Sequence, residues 1–315
     1  MLYDEPIWTF ESGRPLTQWY GHVHLLQNDV VGQWFCVCRY SGELKWQRPC
    51  FRPNSICGID CGVIVAYETR SDGPWTAGFG CYGLSLATGK QLWCSHGSGM
   101  LGILGRVLDF VPGYTNGFRD RPGFVRNGMV FCCSGRVLDI ATGNMVERKS
   151  RDEIESLDSP KSDARYLYNS SIHQAADKVR VGDLLLSHPS SSTVRDEWSL
   201  IAETESGKRV WEYSIRDGGR HINGNYYSYR LCDSFIYLVV SEEPQYKPHP
   251  SHEHMVVPNP TRWAVLTLDV LTGKPIQEIS LDTGLVENCR IEDVDAAGLL
   301  VGKSNRELMY FARRN

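Results

Sequence analysis

Apolar residues in this chain come in short runs. GVIVAYET (62–69), GMVFCCSG (128–135), SFIYLVVSE (234–242) and RWAVLTLDV (262–270) are rich in β-branched and aromatic residues. Gly, Pro, Asp and Ser separate them. Runs of this length and composition between turn formers predict many short strands and an all-β fold. A helical period is nearly absent; the one candidate is RDEIESL at 151–157, a charged connector.

One turn recurs along this pattern. VCRYSGELKW (37–46), LSLATGKQLW (84–93), LDIATGNMVE (138–147), AETESGKRVW (202–211) and LDVLTGKPIQ (268–277) each place a Ser or Thr and a Gly between two extended stretches. The glycines are Gly42, Gly89, Gly143, Gly207 and Gly273, so the steps are 47, 54, 64 and 66 residues. A period near fifty with growing insertions signals an array of similar units. Four residues after the glycine stands Trp46, Trp93 or Trp211 in three copies, and Glu147 or Gln277 in the others. The glycine supplies the positive φ of a tight hairpin, the hydroxyl bonds the local backbone, and the indole is placed to cover the next unit's hairpin. In the fifth copy the strands read YYSYRLCD (226–233), SFIYLVVSE, RWAVLTLDV and KPIQEISL (274–281), with the Ser/Thr-Gly turn joining the third to the fourth. Four antiparallel strands repeated in this way are a propeller blade. Lys90 is then an exposed hairpin lysine rather than a phosphate ligand.

The pattern L-D-x-x-T-G-K-x-x-W resembles the repeat of the quinoprotein-like propellers, the pyrroloquinoline-quinone (PQQ) repeat family. LSLATGKQLW and LDVLTGK carry the resemblance most closely. It implies the propeller fold and leaves function open, because that family mixes quinone-dependent dehydrogenases with cofactor-free binding and assembly propellers. Five turns mark five blades. The C-terminal stretch 287–314 supplies up to three more strands, and the N-terminal EPIWTFESG supplies an orphan strand. We therefore expect one domain over 1–315, a six-bladed propeller of four-stranded antiparallel blades, its ring closed by the N-terminal strand joining the last sheet so that both edges are covered. Five or seven blades are the alternatives. Blade 1 has little sequence for its first half, and FESGRP (10–15) could be a sixth turn.

Composition narrows the partners. The chain has 315 residues, 42% of them hydrophobic, with 33 Lys and Arg against 37 Asp and Glu. A net charge of −4 gives no overall pull toward nucleic acid or an anionic membrane. No apolar run at the N-terminus suits a signal peptide, and none approaches the roughly 20 residues of a spanning helix, so a cytoplasmic location without membrane insertion is expected. Eleven cysteines, several inside strand-like runs, read as reduced thiols acting as small apolar residues. CVC (36–38) and CGIDC (57–61) lack the paired knuckles of a structural zinc site.

The remaining motifs are weighed by context. Gly78, Gly80 and Gly83 in GFGCYG match a dinucleotide loop, but a strand follows rather than a helix. Cys132–Cys133 resembles the vicinal disulfide of some alcohol-oxidising quinoproteins, yet neighbours in a strand face opposite ways. His22 and His24 share a strand face and read as core or channel residues. Glu292, Asp293 and Asp295 have no evident partner base. His249, His252 and His254 in KPHPSHEHMV are the best metal candidates. That segment is rich in proline and reads as an extended loop, so a solvated or partner-binding role is preferred. No catalytic set, cofactor or metal is expected.

The insertions carry the functional expectation. The stretches 70–76, 189–197 and 243–261 fall between second and third strands, and the connector 149–165 emerges on the same face; 112–127 reads as a first-to-second connection on the opposite face. Long loops on a rigid scaffold are where binding concentrates. Two classes follow. One is a non-catalytic propeller that binds a protein partner through the loop-rich face, in an assembly, inhibitor or immunity-type role. The other is a quinone-dependent oxidoreductase or sugar-processing propeller. The lack of a nucleophile, metal or cofactor motif favours the first, with Tyr246, Lys247, His249, His252 and Arg262 as the candidate contacts.

Overall fold

A computed structural model describes residues 1–16, 23–48, 55–70, 77–95, 122–132, 135–150, 153–154, 179–187, 199–214, 221–222, 229–243, 246–249, 252–286 and 288–314. The chain divides into two compact units, Leu16–Pro160 and Met1–Pro15 with Lys161–Asn315.

The first strand, β1 (Trp8–Glu11), belongs to the second of these units. The unit Leu16–Pro160 holds three sheets. The first is β2 (His24–Leu25), β3 (Asp29–Val31), β4 (Phe35–Cys38) and β5 (Leu44–Gln47). The second is β6 (Ser55–Asp60), β7 (Val63–Arg70), β8 (Ala77–Ser85) and β9 (Gln91–Ser95). The third is β10 (Pro122–Arg126), β11 (Met129–Cys132), β12 (Arg136–Asp139) and β13 (Met145–Arg148).

The other unit also holds three sheets. The fourth sheet is β14 (Val179–Val181), β15 (Leu184–Ser187), β16 (Ser199–Thr204) and β17 (Arg209–Ser214). In the fifth, β18 (His221–Ile222) and β19 (Tyr229–Cys232) both pair with β20 (Phe235–Ser241). A separate hairpin follows, β21 (Tyr246–His249) with β22 (His252–Pro258). The chain then returns as β23 (Thr261–Asp269) beside β20, and β24 (Pro275–Val286) completes the fifth sheet. In the sixth, β25 (Cys289–Asp295), β26 (Gly298–Lys303) and β27 (Glu307–Ala312) are joined by β1, in the order β1-β27-β26-β25.

Every pairing among the described strands is antiparallel, and six such sheets, four strands deep with β18 and β19 sharing the first place of the fifth, are the plan of a six-bladed β-propeller. The N-terminal strand completes the last blade: Trp8 faces Tyr310 and Glu11 faces Glu307, and Leu2 makes a further bridge to Arg313. Among the described residues β1 takes the fourth place of the sixth sheet, so 10–15 follows a fourth strand and does not join a third to a fourth as the repeat turns do. Blade 1 is complete, with short strands.

The repeat motif maps onto hydrogen bonds. In the third blade the Asp139 carboxylate accepts from the Thr142 N–H at 2.9 Å and its hydroxyl at 2.7 Å. Asp269 and Thr272 repeat this in the fifth, each bond at 2.8 Å. The following glycine closes the turn, with Gly143 N–H donating to the Asp139 carbonyl and Gly273 N–H to the Asp269 carbonyl, both at 2.8 Å. Their φ values of 70° and 66° are why glycine stands there.

The tryptophan then links one blade to the next. Trp46 Nε1 donates to the Leu86 carbonyl at 2.7 Å, Trp93 to Ile140 at 2.8 Å and Trp211 to Val270 at 3.0 Å. Each indole lies flat on the next turn glycine, so closely that a Cβ on Gly89, Gly143 or Gly273 would sit 2.5–2.6 Å from a ring carbon. Gly83 of GFGCYG lies under the Trp93 ring, where a Cβ would be 2.1 Å away, so this glycine serves close packing within a strand. Lys90 is exposed.

Where Gln277 takes the tryptophan's place, its amide both accepts from the Leu2 N–H and donates to the Leu2 carbonyl, each at 2.9 Å. The repeat position thus holds the N-terminal segment. Apolar cores fill the spaces between adjacent blades of a unit; Tyr237, Val239 and Trp263 of the fifth meet Ile291, Val301 and Phe311 of the sixth.

Two sequence expectations change. The stretch 112–127 is not a first-to-second connection, because Pro122–Arg126 is the first strand of blade 3. The true connection is the Asn127–Gly128 turn, whose φ values of 51° and 73° suit a two-residue hairpin. And 243–261 is not an irregular loop, because most of it folds as the β21–β22 hairpin. Its prolines do not block this: Pro248 and Pro258 lie on a two-stranded ribbon, where proline is tolerated at an edge.

Candidate partner-binding site

The β21–β22 hairpin leaves blade 5 between its second and third strands. Its neck is a set of hydrogen bonds at the ends of β20 and β23. Ser241 Oγ donates to the Glu243 carbonyl at 2.7 Å, and Thr261 Oγ1 accepts from the Glu243 N–H at 3.2 Å. Asn259 Nδ2 donates to the Glu243 carboxylate at 3.3 Å, and Glu242 N–H to the Arg262 carbonyl at 3.1 Å. Ser241 and Thr261 are buried at 1% and 2% exposure. A buried polar pair satisfied in this way fixes where the hairpin departs.

Within the hairpin Tyr246 stands opposite Pro258, Lys247 opposite Val257, Pro248 opposite Val256 and His249 opposite His252. Arg262 lies on β23 just past the neck and is exposed. At that foot is a cavity of about 190 Å³, with Glu242, Arg262, Glu278 and Ser280 contributing its polar walls over a floor of Val240 and Ala264. The cross-strand row Val240, Ala264 and Ser280 places these residues on one face of the sheet. Small-molecule sites usually span about 300–1,000 Å³. The cavity is therefore sized for one side chain, and its mixed charges suit a polar one.

The structure brings four of the five sequence candidates onto one ribbon and sets Arg262 at its base. Sequence reading missed the neck and the carboxylates of the cavity. The only signal for them was that SEE (241–243) and NPT (259–261) bracket the insertion symmetrically with groups able to bond each other. Of the other long segments, 71–76, 151–152, 155–165 and 189–197 lie outside the described residues, as do His22 and Cys133.

Several of the remaining chemical candidates hold local hydrogen bonds. Glu292 and Asp293 are buried, and Glu292 accepts from Arg290 Nε at 2.5 Å. Asp293 binds the Val294 N–H at 2.8 Å, and Asp295 caps its turn through the Ala297 and Gly298 N–H groups at 2.9 and 3.1 Å. Nine described cysteines are free thiols. Burial, reinforced by Asp29, pushes the Cys36 thiol up to about 12, and burial also raises Cys289, so both remain protonated. Hydrogen bonds from Ser41 lower Cys38. Among the described side chains no three His, Cys, Asp or Glu converge as a metal set. No described helix is long and apolar enough to cross a membrane.

No family model matches the chain, and neither does any curated protein. Solved structures of low identity align over most of its length. BamB from Moraxella catarrhalis is 12% identical, with 100% of this chain and 98% of that one covered and a TM-score of 0.35. The quinohemoprotein alcohol dehydrogenase from Comamonas testosteroni is 12% identical, with 92% and 66% covered and a TM-score of 0.29. Sqt1 from Saccharomyces cerevisiae is 10% identical, with 91% and 81% covered and a TM-score of 0.25. The fold assignment stands on the six sheets themselves, and these similarities add no assignment of activity.

Proposed function

We propose that this chain is a non-catalytic β-propeller that binds a protein partner, and that the β21–β22 hairpin with Arg262 at its foot is a principal contact. The observation that carries the reading is the hairpin itself, a second small sheet on a buried polar neck, set off from the blade that bears it. A two-stranded ribbon gains little stability alone. A polar side-chain-sized cavity at its base supports docking of a peptide surface over turnover of a small substrate. Tyr246 and Arg262 are the residue types that anchor interfaces, and Lys247, His249 and His252 add polar contacts around them. Roles open to such a propeller are assembly, inhibition or immunity.

The test replaces residues 244–260 with a short Gly-Ser link. The melting temperature should hold, because blade 5 keeps β20 beside β23, while capture of the native partner should fall. Retention of capture by the shortened protein would remove the hairpin from the interface.

A further inference from the structure

In blade 3, Arg136 at the start of β12 stands directly opposite Arg148 at the end of β13. The next pair, Val137 with Glu147, keeps the same register, and the ladder shifts only beyond it. The two arginines therefore share one face of the sheet, with Cβ atoms about 4.5–5.5 Å apart, and Glu147 takes the other face. The arginine face is turned to blade 2, where Arg136 Nη2 donates to Ser95 Oγ at 3.2 Å. Arg136 and Ser95 are buried, at 8% and 7% exposure, while Arg148 is exposed. Glu147 is held by Lys149 at 3.0 Å. Burial lowers the pKa of the Arg136 guanidinium, and the positive charge of Arg148 lowers it further, against a smaller opposing effect of Cys81. Like charges directly opposite on neighbouring strands destabilise a sheet.

We propose that Arg136 and Arg148, with Ser95 positioning the inner of the two, bind a phosphate group, free or carried on a monoester, at the seam of blades 2 and 3. An anion set between the guanidinium groups replaces their repulsion with two attractions. Arginine forks match phosphate oxygens with paired N–H donors. Two positive charges call for a dianion: a phosphate monoester carries about −1.5 to −2 at neutral pH, whereas a carboxylate brings a single charge. The Ser95 hydroxyl anchors the buried guanidinium from blade 2, so less freedom is lost when the anion binds, and the exposed Arg148 supplies the outer donors. The start of a third strand and the end of a fourth lie where the second-to-third connections emerge, the end of a blade at which binding concentrates. The site stands apart from the protein-partner reading, because its residues belong to the unit Leu16–Pro160 and the β21–β22 hairpin to the other.

The experiment is titration calorimetry on the purified full-length protein at neutral pH and constant ionic strength, with inorganic phosphate, phenyl phosphate and acetate as probes. We expect one saturable equivalent of a phosphate probe and weaker binding of acetate. Tighter binding of phenyl phosphate assigns the site to a monoester, and tighter binding of inorganic phosphate assigns it to the free ion; either result supports the site. Arg148→Gln changes an exposed side chain and should fold. It should weaken phosphate binding by about tenfold or more, the loss expected of a charge-assisted hydrogen bond. Arg209→Gln, which alters an exposed arginine paired with Glu212 in blade 4, should leave binding unchanged. Without phosphate, Arg148→Gln should melt higher than the wild type, because it removes the like charge opposite Arg136. Phosphate should then raise the melting temperature of the wild type and not of the variant. No saturable phosphate binding by the wild type, acetate bound as tightly as phosphate, unchanged affinity in Arg148→Gln, or a lower melting temperature of that variant without phosphate overturns the proposal.

Discussion

Trp93→Ala is the sharpest test of how the blades hold together. The indole is 9% exposed and rests on Gly143 of the next blade, while its Nε1 donates to the Ile140 carbonyl at 2.8 Å. Truncation removes the packing of a buried tryptophan, which costs about 3–5 kcal/mol through lost transfer energy and the cavity left behind. It also strands the Ile140 carbonyl, and an unsatisfied buried acceptor costs about 1–3 kcal/mol, so the total should lie at or above the upper part of the first range. With a urea slope of about 1–3 kcal/mol/M, the midpoint should move by 1 M or more. The matched control is Glu147→Ala, the same repeat position one blade on. Glu147 is exposed and its ion pair with Lys149, at 3.0 Å, is a surface one, so the change should stay within about 0.5 kcal/mol. Urea denaturation followed by circular dichroism measures both. A loss below about 1 kcal/mol for Trp93→Ala, or equal losses for the two variants, would refute the reasoning.

Three further outcomes follow from the same contacts. Gly143→Ala and Gly273→Ala should destabilise more than Gly207→Ala in thermal melts: all three have positive φ, but only the first two would drive a Cβ into an indole, whereas a Cβ at Gly207 meets nothing within 4 Å. Gln277→Ala removes both hydrogen bonds to Leu2, so about 1–3 kcal/mol should be lost and the N-terminal amides should exchange faster. The N–H groups of Gly128 and Cys61 hold the Asp60 carboxyl below the usual carboxylate range, Gly128 foremost. A depressed folded value means that this stabilisation is present above the unfolded value, about 3.9, and is lost as pH falls through the folded one. Asp60→Asn should therefore flatten the acid limb of a stability–pH curve below about pH 4 and leave its shape at neutral pH unchanged.

The architecture was legible because the repeat encodes it twice. The Asp and Thr of L-D-x-x-T-G make the turn's own hydrogen bonds, and the tryptophan four residues after the glycine makes the contact between blades. Either signal alone would also fit an isolated hairpin; their recurrence specifies a blade array. What was not legible depended on partners remote in sequence. Gln277 looks like a degenerate tryptophan position until Leu2, 275 residues away, is seen to bond both ends of its amide. The stretch 243–261 looks like a proline-rich loop because proline weakens a strand reading, although at the edge of a two-stranded ribbon the missing donor costs no ladder bond. The neck went unread for the same reason: Ser241 and Thr261 have ordinary polar side chains until the hairpin between them lets both bond the backbone of Glu243.

The central claim is that the β21–β22 hairpin is where this propeller meets a protein. Its most direct test is site-specific photo-crosslinking in the native cell, with the crosslinker at position 247 on the hairpin and, for comparison, at position 90 on a repeat turn. The account predicts a single dominant protein adduct from position 247, absent from position 90 and lost when Arg262 is changed to Glu. Adducts from position 90 with none from 247, or the same adduct from both, would contradict it.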